Sequence, residues 1–188
     1  MNVHRGRRVK RFEQMALPHL PALYRGAWQM VGEHAAEDLV QETYLRAWKY
    51  FDTFDPNTNC RLWLFRIMRN VWVDRCCRPR LEIPLTEKEE SVVEPYYDWE
   101  ADFLVMELSH EMEQALAELP AEYRWAVLLA DVEEFSYRQI AETMSCPIGT
   151  VMSRINRGRR MLARLLRAYA KKQPDEKEKV PDNFQEKP

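Results

Sequence analysis

Apolar residues recur at every third or fourth position along most of this 188-residue chain, a period that leaves little room for anything but helices. Strands would show apolar–polar alternation, β-branched runs and glycine-marked turns. The chain has only five glycines and no convincing alternating run. The periodicity predicts helices over 12–31, 35–51 and 61–77. Pro18 and Pro21 start or bend part of the first, and Gly32 ends it. Pro56 with two asparagines breaks the second, and Pro79 stops the third. Further helices are predicted over 103–119, 121–132, 136–144 and 148–172, with Pro120 and Pro147 where helices begin. Between the two sets lies an acidic, irregular stretch that reads as a linker. The expected architecture is all-α, two small helical domains at 11–80 and 105–172. An acidic linker at 81–104 joins them, and a charged, proline-bearing tail at 173–188 is expected to be disordered.

The formal net charge of −2 hides a division along the chain. Residues 1–80 carry 14 Lys/Arg against 8 Asp/Glu, residues 81–120 carry 1 against 12, and residues 121–188 carry 13 against 10. Basic ends flanking an acidic middle point to polyanion binding at the ends. Cys60, Cys76, Cys77 and Cys146 show no CxxC spacing, and reduced thiols are expected. His4, His19, His34 and His110 are scattered, so neither a metal nor a cofactor is expected. No apolar run approaches the roughly 20 residues needed to span a bilayer. The basic N-terminus lacks the apolar segment of a secretion signal, so a cytoplasmic protein is expected.

The stretch "SCPIGTVMSRINRGRRMLARLLR" concentrates six arginines and no acid. At about 100° per residue, Val151, Ile155, Leu162, Leu165, Leu166 and Tyr169 form one packing stripe. Ser153, Asn156, Arg157, Arg160, Arg164 and Arg167 face away, with Met152 and Arg159 at one edge. The preceding "SYRQIAETM" is a short amphipathic helix. A short helix, a tight turn and a longer basic helix outline a helix-turn-helix.

The segment "LPAEYRWAVLLADVEEFSYRQIAETMSCPIGTVMSRINRGRRML" resembles region 4 of the extracytoplasmic-function group of bacterial sigma factors. That resemblance implies recognition of −35 promoter duplex, with Ser153, Arg154, Asn156, Arg157, Arg159 and Arg160 at the contact positions. It also implies an RNA polymerase core as partner, through the β′ clamp helices and the β flap, and an anti-sigma factor that restrains the protein. Two positions depart from the family. Ser145 stands where Gly or Asp is usual in the turn, and Met152 where a basic residue is common.

The first half carries its own constellation. In 35–51, Ala36, Val40, Tyr44, Ala47, Trp48 and Phe51 share a packing face. Asp38, Gln41, Glu42 and Lys49 surround Leu45 on the other. "AEDLVQETYLRAW" resembles region 2.2 of the same family, which implies that this surface grips the β′ clamp helices. In 61–77, Leu64, Ile67, Met68, Val71 and Trp72 form a packing stripe, while Arg66, Asn70, Val73 and Trp63 are candidates for exposure. Similarity to regions 2.3 and 2.4 implies that the loop "FDPNTNC" and this helix read and help separate the −10 element. Asn59, Arg61, Arg66, Arg69 and Asn70 are the candidate contacts.

The resulting expectation is a non-enzymatic alternative sigma factor. A helix-turn-helix regulator with an N-terminal ligand sensor is the competing reading, and the acid-ringed Leu45 speaks against it. An enzyme using Cys60 or Cys146 as nucleophile would need a paired base, and none stands at a recognisable spacing.

Overall fold

The computed structural model describes residues 2–77 and 110–172, and every regular element in them is helical. The predicted linker and tail lie outside the described residues. Helix α1 spans Asn2–Ala16, a 3-10 turn covers Leu17–His19, and α2 spans Leu20–Val31. The single helix predicted over 12–31 is therefore two helices, and the first begins about ten residues earlier. The division falls where Pro18 and Pro21 enter: each lacks an N–H, and each sits in the first turn of the element it starts. Gly32, at φ 77°, ends α2 in a conformation closed to most other residues.

Helix α3, Glu33–Tyr50, and α4, Cys60–Cys77, complete the first half. Phe12 packs edge-on against Tyr44, Trp48 and Phe51 and so fastens α1 across α3. Gly26 lets α2 lie against α4, since a Cβ there would come within 2.9 Å of the Phe65 ring.

The second half consists of α5 (His110–Glu118), α6 (Ala121–Val127, continued by a π-helical turn through Val132), α7 (Tyr137–Met144) and α8 (Ile148–Lys172). Helix α7 is closed at both ends by its own side chains and backbone. Ser136 Oγ accepts from Gln139 N while Ser136 N donates to Gln139 Oε1, at 3.4 and 2.9 Å. At the other end Ser145 is left-handed (φ 50°, ψ 48°), and Cys146 N donates to Ala141 O at 3.1 Å. The turn conformation that favours glycine is thus adopted by a serine. Pro147 then opens α8, its carbonyl accepting from Thr150 N and Val151 N.

One feature is absent from the periodicity. The two halves share a continuous buried core containing Leu64, Phe65 and Met68 of α4 together with Trp125, Leu128, Phe135 and Ile140. Phe65 falls outside the predicted stripe of α4 and is fully buried, edge-on to Phe135 at 5.6 Å between ring centres. Trp72 likewise meets Trp125 at 6.1 Å. Helix α4 buries two faces, one for each half of the molecule.

Candidate nucleic-acid interface

Helix α8 is held by Val151 and Ile155, both buried, and by Gly158, whose missing side chain admits Val127 and the Tyr123 backbone. A Cβ on Gly158 would lie 2.6 Å from Val127 Cγ2. That close approach fixes the rotation of α8 about its axis, and so which residues face outward. Ser153, Asn156, Arg157 and Arg160 are exposed, as are Arg164 and Arg167 farther along. Among the described residues none of these four arginines has an ion-pair or hydrogen-bond partner. Ser153 Oγ donates to Thr150 O at 2.9 Å, which leaves its lone pairs outward.

Arg154 and Arg159 are differently placed. Arg154 Nη2 donates to Glu122 Oε2 at 2.9 Å and its Nη1 approaches Cys146 Sγ at 3.6 Å. Arg159 binds Asp131 through both Nε, at 3.0 Å, and Nη2. That fork raises the Arg159 pKa, chiefly through the hydrogen bond to Asp131. These two arginines tie α8 to α6 and the turn after it. The free guanidinium groups of the expected −35 set are those of Arg157 and Arg160.

In the first half the expected −10 contacts also divide. Arg66 and Asn70 are exposed on α4, and Arg69 is half-buried. Asn59 is exposed, and its Oδ1 accepts from Leu62 N at 3.1 Å, capping α4. The loop before it is a compact polar turn in which Asp55 Oδ1 accepts from Asn57 N and Asn57 Nδ2 at 2.9 and 3.0 Å. Trp63 stacks at a tilt on Phe54, ring centres 4.7 Å apart.

Arg61 faces the second half of the chain. Its Nη2 donates to Glu133 Oε2, and its guanidinium lies over the Phe135 ring at 5.3 Å. The Glu133 side chain is fully buried. Burial pushes its pKa above the ordinary carboxylate range, although Arg61 and then Arg25 pull the other way. Nearby, Arg124 Nη1 donates to Met30 O at 3.0 Å and so closes the end of α2 from the opposite half. The sequence reading did not single out Glu133, Phe135, Arg124 or Phe65. The available signal was the apolar Phe65 beside Trp72, which widens the packing stripe of α4 at one edge.

The opposite surface of α3 is open. Leu45 is 57% exposed, with Asp38, Gln41 and Lys49 exposed around it. Glu42 is partly engaged, accepting from Arg46 at 2.6 Å and from Arg75 Nε at 2.8 Å.

Comparison with known proteins matches both halves of the chain to one family. Residues 15–80 match the protein family described as Sigma-70 region 2, and residues 109–162 match Sigma-70, region 4. The ECF RNA polymerase sigma factor SigW of Bacillus subtilis is 32% identical over 176 residues, which cover 86% of this chain and 94% of that protein. SigE of Mycolicibacterium smegmatis is 36% identical over 155 residues, 80% of this chain and 60% of that one. Among solved structures, the sigma factor RpoE in complex with the anti-sigma factor NepR from Bartonella quintana superposes with a TM-score of 0.64 at 32% identity. It covers 84% of this chain and 98% of that one. CnrH in complex with the cytosolic domain of CnrY gives 0.59 at 27% identity, with coverage of 84% and 88%. The chain belongs to the extracytoplasmic-function group of bacterial RNA polymerase sigma factors.

Proposed function

We propose that this sigma factor works through three surfaces. Asp38, Gln41, Glu42, Leu45 and Lys49 on α3 bind the β′ clamp helices of the polymerase core. Asn59, Arg61, Arg66, Arg69 and Asn70 engage −10 DNA as its strands separate. Ser153, Arg154, Asn156, Arg157, Arg159 and Arg160 dock α8 on the −35 duplex. The observation that carries this reading is the outward face of α8, where Arg157 and Arg160 are exposed beside Ser153 and Asn156 without a carboxylate partner among the described residues. Arginines of that kind supply phosphate attraction, while serine and asparagine are types that reach base edges.

The site divides its labour. Arg154 and Arg159, held by Glu122 and Asp131, orient the helix and present their remaining N–H groups to phosphate. Arg157 and Asn156 are left for the bases. Duplex binding at one element and single-strand capture at the other draw opening energy from binding, so the protein needs no catalytic group of its own.

The packed arrangement is a resting form in this reading. Elements named −10 and −35 lie 25 base pairs apart, about 85 Å along B-DNA. Helix α7 packs against both α4 and α8, so their axes approach to within about 20 Å, two interaxial packing distances. Reading both elements therefore requires the halves to part and Arg61 to leave Glu133. Of the two structurally similar proteins, the sigma factor RpoE was solved in complex with an anti-sigma factor and CnrH in complex with the cytosolic domain of CnrY. We infer an anti-sigma partner here as well, and a cytoplasmic location; no helix among the described residues is long and apolar enough to cross a membrane.

The test is run-off transcription with purified core polymerase. Promoter-specific initiation that depends on the added protein is expected; its absence, with DNA binding intact, would favour a helix-turn-helix regulator. Arg157→Ala is expected to weaken −35 discrimination by about 1–3 kcal/mol. Leu45→Asp is expected to abolish co-purification with core polymerase while leaving the helical content unchanged, because Leu45 is mostly in water already.

A further inference from the structure

The outward surface of α8 is not uniformly polar. Met152 is 52% exposed, and Ile148, one turn earlier, is 46% exposed. Their i, i+4 spacing makes them neighbours on the helix surface. Met152 also adjoins Ser153 and lies one turn ahead of Asn156, beside the free donors. Its side chain is thus an apolar element set among the groups that face DNA, at the N-terminal end of the helix. That end of a recognition helix contacts base edges.

The arginines near this turn do not fill the same space. Arg154 and Arg159 are drawn toward Glu122 and Asp131, and Arg157 lies on the far flank of the exposed face. In the major groove, the apolar feature a base presents is the 5-methyl group of thymine. A methionine suits it: the thioether chain is long, unbranched and polarisable, and it adapts its rotamer to a small apolar target.

We propose that Met152, backed by Ile148, is a specificity-determining residue that reads a thymine 5-methyl group within the −35 duplex. This rests on the assignment of α8 to the −35 element.

The experiment uses the full-length protein bound to core polymerase, with promoter fragments in which each −35 thymine is replaced in turn by deoxyuridine. The replacement removes one methyl group and leaves every hydrogen-bonding atom in place. One such replacement is expected to weaken the wild-type holoenzyme about fourfold, the worth of one buried methyl-sized group. Met152→Ala is expected to bind the thymine and deoxyuridine fragments equally, while retaining its affinity for core polymerase. Indifference of the wild type to every replacement overturns the proposal. So does an equal penalty in wild type and Met152→Ala, which would leave the exposed pair to a protein partner. Failure of the holoenzyme to protect any −35 duplex overturns the assignment of α8 as well, and so separates the two failures.

Discussion

Arg61→Ala should loosen the contact between the two halves. The arithmetic rests on what the substitution strands. Glu133 has a fully buried side chain, its Oε2 is held by Arg61, and its Oε1 is buried with no hydrogen-bond partner among the described residues. Removing one partner of a buried ion pair costs about 3–5 kcal/mol, because the remaining charge is uncompensated. The Arg61 side chain is 31% exposed, and its own Nε is buried without a partner among the described residues, so the lower end, about 3 kcal/mol, applies. That is roughly a hundredfold in the closing equilibrium. Glu133→Gln keeps the volume and removes the charge that burial already disfavours, so it should cost only about 1 kcal/mol. The pH dependence has a definite sign. A carboxyl with a raised folded-state pKa contributes stability that is fully present below its ordinary value near 4.5 and is lost as pH rises through the raised value. The wild-type contact should therefore tighten as pH falls toward that range. Arg61→Ala, whose Glu133 pKa rises further, should recover part of its deficit on acidification, and Glu133→Gln should lack this component. Urea unfolding, together with amide exchange in α4 and α6, reads the effect. A Glu133→Gln penalty equal to or larger than that of Arg61→Ala would refute the reasoning.

Three further outcomes follow from local geometry. Gly158→Ala should destabilise the second half by about 1–3 kcal/mol in thermal unfolding, since its Cβ meets Val127 at 2.6 Å inside a packed contact. Ser145→Gly should stabilise by about 0.5–1 kcal/mol, because the left-handed turn costs serine what it does not cost glycine; an unchanged or lower melting temperature would count against that account. Burial raises the Cys60 pKa to about 11, so at pH 8 its alkylation by iodoacetamide should run at least about a hundredfold slower than that of an ordinary thiol.

The helices were legible in the sequence because their signals are local. The period, the prolines and the Ser136–Gln139 box each act within one turn, and α8 falls on the predicted 148–172 because Pro147 and the packing stripe specify it together. The exposed ring around Leu45 was legible for the same reason. The wheel of α4 was less complete. It distinguishes an apolar from a polar face but not one buried face from two, and Phe65 is buried by Phe135, seventy residues away in the chain. Contacts of that separation leave no periodic trace.

The same limit applies to the charged residues, where its consequences reach function. A helical wheel places Arg157 and Arg160 on the outward face and Arg159 at its edge, and the family resemblance adds Arg154, without showing which of them already has a carboxylate. Glu122 and Asp131 lie on a different helix and on the turn after it, brought within reach by the close approach at Gly158. Two of the four arginines are thereby engaged in holding α8, and on the proposed docking the base contacts would fall to Asn156, Arg157 and the apolar Met152. Arg61 follows the same pattern across the interface between the halves, where its carboxylate partner is Glu133. On the proposed function, the promoter-reading surface is partly assembled when α8 docks within its own half and partly released if the halves separate. A sequence of exposed arginines gives the sum of these roles, and only the placement of Glu122, Asp131 and Glu133 divides them.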